Sequence, residues 1–174
     1  MKPTNSRSYF GKYRGTVYRN NDPKHLGRLM VYVPDVLGSA PSNWAEPCVP
    51  LAGKGGAMGM YLVPPEGAGV WVEFEQGDSE APIWVGCRWG ASSDVPSAAN
   101  EGSPDSPSIV LQSKGKHSIV ISDKAGPEGG ISLKSAAGVS LLINDNGIFL
   151  KSDKGTVSIK GTVNVNDGAL TVSK

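Results

Sequence analysis

The residues able to do chemistry are few in this chain. Glu73 and Glu75 lie two apart in VWVEFEQ, so on a strand they share a face about 7 Å apart, a spacing glycoside hydrolysis could use. No second feature of a sugar-cleaving cleft accompanies them, and a solvated strand face is the favoured reading. His25 and Cys48 could form a base and nucleophile. His25, however, stands beside Lys24 in a turn, while Cys48 lies in an apolar run, so structural roles are favoured for both. No Gly-x-Ser-x-Gly elbow occurs. Cys48 and Cys87 both sit in apolar strand-like runs and are expected as buried free thiols rather than a disulfide or a metal site. The sequence therefore assigns no catalytic residue, cofactor or metal.

Charge excludes further classes. The net charge is +1 over 174 residues, without a basic run of the kind that marks nucleic-acid or membrane-surface binders. Trp44, Trp71, Trp84 and Trp89 could offer stacking platforms for single strands. Residues 1–90 nevertheless carry nine Lys or Arg against eight Asp or Glu, so core packing or a protein interface accounts for them better. Arg19, Lys24 and Arg28 read either as a partner-facing surface or as ordinary exposed charges. The start, MKPTNSRSYFGKYRG, lacks the apolar core of a signal peptide, and no stretch reaches membrane-span length, which predicts synthesis in the cytoplasm.

The elements that must position these residues are strands; no amphipathic helix is convincing. Composition breaks near residue 90. Eleven of twelve aromatic residues lie at or before Trp89, and twelve of thirteen Pro occur by Pro107. This predicts a domain over 1–90 whose residues 1–9 form a flexible or docking arm, a Ser/Pro/Asp-rich linker over 91–107, and a second region over 108–174.

In the first region, strands are predicted over 10–19, 26–33, 44–51, 59–63, 69–75 and 83–87. Alternation puts Leu29, Val31 and Val33 on one face, and Val70, Val72 and Phe74 on another. Five or six short strands in about 80 residues fit a small closed barrel of OB-fold size.

The second region repeats itself as SIVLQS, SIVISD, GISLKS, VSLLIN, GIFLKS, TVSIKG, TVNVN and ALTV, separated by Gly, Asp, Asn, Lys and Ser. One face of each strand is apolar: Ile109/Leu111, Ile119/Ile121, Ile131/Leu133, Val139/Leu141/Ile143, Ile148/Leu150, Val157/Ile159, Val163/Val165 and Leu170/Val172. The region holds no helix and almost no bulky residue to cover that face. A lone sheet would expose a long apolar stripe and two open edges. Association of identical copies about an axis resolves both problems, predicting an intertwined trimeric β-helix, a triangular prism with Ile, Leu and Val inside. Full burial contributes about 1.5–3 kcal/mol per side chain, offset mainly by ordering entropy. A stable monomeric form of this region is not expected, and its eight Lys against five acids are read as keeping it soluble.

Three stretches carry a family resemblance: GTVYRNNDPKHLGRLMVYVPDV, WAEPCVPLAG and GMYLVPPEGAGVWVEFEQGDSEAPIWVG. They resemble the N-terminal OB domain of phage baseplate assembly protein V and of VgrG-type spikes of contractile injection systems. The resemblance falls on Asp22, Pro23, Leu26, Gly27, Arg28, Pro34, Trp44, Pro47, Trp71, Phe74, Gly77, Asp78, Pro82, Trp84 and Gly86. The distal repeats look like the β-helix that follows in those proteins. The resemblance implies a homotrimer docked on a trimeric baseplate hub, in a virion or injection particle, touching the target membrane only transiently as it pierces. It implies no enzyme. The stretch between the regions is too short for the lysozyme-like domain of some relatives, and His25 and His117 are too far apart for the His-x-His metal apex of others. The end, with Asn166, Asp167, Gly168 and Ala169 facing outward, resembles spikes capped by a separate PAAR-type tip protein. A trimeric glycan-binding module, a peptidoglycan hydrolase and an OB-type nucleic-acid binder are the alternative readings.

Overall fold

The computed structural model describes residues 7–55, 58–152 and 156–158. The chain divides into two units, residues 1–95 and 96–174.

The first unit is built on one five-stranded sheet. Its strands are β1 (Tyr13–Arg19), β2 (Met30–Tyr32), β3 (Glu46–Pro47), β4 (Gly69–Phe74) and β5 (Pro82–Arg88), in the order β2-β1-β4-β5-β3. β3 runs parallel to β5, pairing Glu46 with Ile83 and Pro47 with Trp84, and the other pairs are antiparallel. The sheet curls until its outer strands approach, and Leu29 and Ala45 exchange both backbone hydrogen bonds, at 3.1 and 2.6 Å. The alternation expected for the apolar faces is present. Leu29, Val31, Val33, Val70 and Val72 are fully buried, joined by Val17, Ala45, Phe74 and Trp84.

Several strands are shorter than their apolar runs suggested. β2 starts at Met30, not near Leu26, because the preceding residues wrap around the Asp22 carboxylate; Leu26 is 53 % exposed. Residues 59–63 form no strand, only a bridge between Ala52 and Gly59. Pro34, whose fixed φ suits a first helical position, opens a single helical turn, α1 (Pro34–Leu37). Of the expected N-terminal arm, Tyr9 lies along the barrel. Its N–H donates to Gly77 O at 3.0 Å, and its ring packs against Tyr13 and Phe74. Within the expected linker, 3-10 turns occupy Ser92–Asp94 and Ser97–Asn100.

The second unit is an antiparallel meander of β6 (Ile109–Gln112), β7 (Ser118–Ser122), β8 (Gly130–Lys134), β9 (Ser140–Asn144) and β10 (Gly147–Lys151), each paired with the next. These are five of the eight expected repeats. Their ladder bonds form within the chain, so β6–β10 need no second copy for backbone pairing. Gly130 permits the tight start of β8. Its φ is +99°, and a Cβ there would sit 2.1 Å from Ile143 O. Val139 lies in the β8–β9 turn rather than on a strand. Residues 156–158, Val157 among them, are outside any strand. The expected core positions Ile159, Val163, Val165, Leu170 and Val172, and the tip positions Asn166–Ala169, lie outside the described residues.

Candidate functional site: an ion-paired barrel loop and an open apolar sheet face

The barrel's most elaborate polar structure is a loop closed on one carboxylate. Asp22 accepts hydrogen bonds from the backbone N–H groups of Lys24 (2.9 Å), Leu26 (2.8 Å) and Arg28 (3.3 Å). Arg28 then binds it through both Nε and Nη2, the latter at 2.6 Å. Both residues are buried, and the guanidinium lies 5.5 Å from the centre of the Trp44 ring. A planar fork meeting a carboxylate is the geometry in which Arg holds a buried charge well. The Arg28 hydrogen bond, followed by those from the backbone, holds the Asp22 carboxyl well below the usual range, against desolvation. Arg28 is raised by the same partner. Of the two readings offered by sequence, exposed charge or partner surface, neither describes Arg28; it is an internal fastening. The Asp-x5-Arg spacing was the available signal.

Gly27 completes the loop. Its φ is +77°, a Cβ would press on the Tyr61 ring at 3.3 Å, and its carbonyl accepts the Trp84 indole N–H at 3.1 Å. Trp84 is thus a core residue with its polar atom satisfied. Trp44 and Trp71 are half-buried, with Arg14 6.0 Å from the Trp71 ring, and Trp89 is exposed. These positions do not present a row of four stacking platforms.

The catalytic candidates are not brought together. Glu73 lies on β4 and pairs with Lys12 at 2.7 Å. β4 ends at Phe74 and Glu75 opens a 3-10 turn, so Glu75 is not the strand residue expected. His25 is an exposed loop residue with φ +55°, and no hydrogen bond links it to Cys48 among the described residues. Cys48 and Cys87 are free, as expected, but exposed rather than buried. On β5 the inward positions are Pro82 and Trp84; a bulge at Val85 then shifts the parity, so Cys87 pairs with the buried Val70 yet is exposed. No group of three or more His, Cys, Asp or Glu among the described residues could hold a metal ion.

The meander supplies the larger feature. Its register places Ile109, Ile121, Ile131, Ile143 and Ile148 in one row across all five strands, each directly opposite the next. A second row on the same face reads Leu111, Ile119, Leu133, Leu141 and Leu150. Nine of these ten are exposed, by 41–71 %. On the opposite face Val110, Val120, Ser132, Leu142 and Phe149 form the middle row, flanked by Gln112, Ser118, Lys134, Ser140 and Lys151. An in-register Ile/Leu face of this extent marks an association surface.

Two family models match. Residues 13–89 match the type VI secretion system/phage-baseplate injector OB domain, and residues 108–171 match the phage baseplate V C-terminal trimerisation domain. Compared with the curated proteins, the chain has no match. The second model covers the strands that bear the open face, which accounts for its exposure in one copy and supports a homotrimer. With both domains present, in that order, the chain belongs to the phage baseplate V family of baseplate spike and VgrG-type proteins.

Proposed function

We propose that three copies of this chain form the non-enzymatic central spike of a contractile tail or related injection machine. The barrels dock on a trimeric hub, and the meanders pack as a triangular prism that is driven through the target envelope when the sheath contracts. The observation that carries this reading is the pair of Ile and Leu rows, open in one copy and matched to a trimerisation domain. With strands stacked about 4.8 Å apart, β6–β10 extend ~19 Å along the axis. Axial load passes through ladder hydrogen bonds and a packed core, so no bond chemistry is needed. A PAAR-like tip protein is the further partner of this reading. No helix among the described residues is long and apolar enough to cross a membrane, consistent with a protein that pierces transiently.

Light scattering on the full-length chain tests the reading. A three-chain mass that persists on heating is the expected result. A monodisperse monomer would overturn it.

A further inference from the structure

The two edges of the meander carry opposite charge. One edge, formed by the β6–β7 and β8–β9 turns and the end of β10, holds Lys114, Lys116, Lys134 and Lys151, with no Asp or Glu among its described residues. The other edge, formed by the approach to β6 and the β7–β8 and β9–β10 turns, holds Asp105, Asp123, Glu128 and Asp145. Its one Lys, Lys124, is paired with Glu128. All of these charges are exposed. Each edge is also tied together internally. Ser106 Oγ donates to Asp123 at 2.8 Å and Asn144 Nδ2 to Pro127 O at 3.0 Å on the acidic edge. On the basic edge, Ala136 N–H donates to His117 Nδ1 at 3.4 Å. The apolar face shares this polarity: the all-Ile row lies toward the acidic edge and the Leu-rich row toward the basic one.

We propose that the basic edge of one copy seats against the acidic edge of the next, forming an ion-paired seam at each corner of the trimer. This rests on the trimer reading above. Rotation about an axis parallel to the stacking of the strands brings unlike edges together and leaves every chain pointing the same way. A two-fold axis along the strand direction would set basic edge against basic edge. Charge thus selects the parallel, head-to-tail ring and rejects the antiparallel pair, and the interface is heterologous, closing after three copies. The apolar rows supply adhesion, while the edges fix which copies meet and in which direction.

Charge reversal in the full-length chain tests this. The first variant carries Lys114→Glu, Lys116→Glu and Lys134→Glu. The second carries Asp105→Lys, Asp123→Lys and Asp145→Lys, and a third carries all six. Each single-edge variant places like charges at every corner, raising the concentration of half-dissociation at least about tenfold. The six-fold variant restores complementarity with the signs exchanged and returns the trimer mass toward wild type. That rescue also shows that the substituted turns still fold. Trp fluorescence, which arises only from the barrel half, monitors barrel integrity separately. A wild-type trimer unaffected by either single-edge variant overturns the seam alone, as does a six-fold variant no better than its parents. A wild-type chain that is not trimeric overturns the spike reading and the seam with it.

Discussion

Arg28 Nη2 lies 2.6 Å from Asp22 Oδ1, and this pair fastens the loop that leads into β2. Removing either partner strands a buried charge, so Arg28→Ala and Asp22→Ala should each lower the barrel's Tm far more than Lys12→Ala, whose pair with Glu73 is solvent-exposed. The pH dependence has a definite sign. An Asp whose folded pKa is depressed stabilises the fold above its unfolded value of about 3.9, and that contribution fades as pH falls toward the folded value. Thermal melts followed through the Trp signal should therefore show wild type losing stability below about pH 4. Asp22→Asn, already without the charge, should lose less over that interval. Equal slopes would refute the assignment.

Trp84 and Gly27 are coupled through one hydrogen bond, and the two can be separated by substitution. Trp84→Phe keeps most of the apolar volume and leaves the Gly27 carbonyl without its indole donor. The loss expected from the hydrogen bond is about 0.5–1.5 kcal/mol. Gly27→Ala should cost more, since it combines a φ of +77° with a contact 3.3 Å from the Tyr61 ring. Urea unfolding of the two variants, with unchanged m-values, measures both. A Gly27→Ala variant as stable as wild type would show that the loop relaxes.

Both thiols should react in the native protein, in contrast to the buried pair expected from sequence. Cys48 and Cys87 are free and exposed. Burial of part of its surroundings raises the Cys87 thiol pKa, so at pH 7–8 less of it is thiolate. A maleimide titration without denaturant should label Cys48 first and Cys87 more slowly, with the Cys87 rate still rising at higher pH. A single labelled site would place one thiol inside an assembled interface.

Sequence alternation located the barrel core because inward and outward residues differ sharply in type: Leu29/Val31/Val33 and Val70/Val72/Phe74 were readable directly and are all buried. The loop before β2 was not readable. Leu26 continues the apolar run, yet three backbone N–H groups turn toward Asp22 and end the strand pattern early. Glu75 departs from expectation for a similar reason: alternation extends through it, but Phe74 is the last strand residue and a 3-10 turn opens at Glu75. In the meander the apolar parity was legible, whereas the alignment of an all-Ile row beside a Leu-rich one emerged only with the register. Strand parity is a local property; register depends on turn lengths, and the turns here range from the two residues of Asp145–Asn146 to the seven between β7 and β8. The opposed edge charges are likewise invisible along the chain, where Lys and Asp alternate with each turn.

Ile121 and Ser132 provide a face-by-face test of the association surface. They belong to adjacent paired strands, and Ile121 stands opposite Ile131, the immediate neighbour of Ser132. Ile121→Asp puts a carboxylate into each of three apolar positions of the proposed core, where no partner charge is available. Ser132→Asp adds the same charge to the opposite face. Ile121→Asp should run as a monomer by light scattering at concentrations where wild type is trimeric, with Trp fluorescence and barrel Tm unchanged. Ser132→Asp should remain trimeric, with stability changed by about 0.5 kcal/mol or less, as for an ordinary surface substitution. The reverse pattern, Ser132→Asp dissociating the trimer while Ile121→Asp leaves it intact, would mean that the Val110–Phe149 face is the one turned inward.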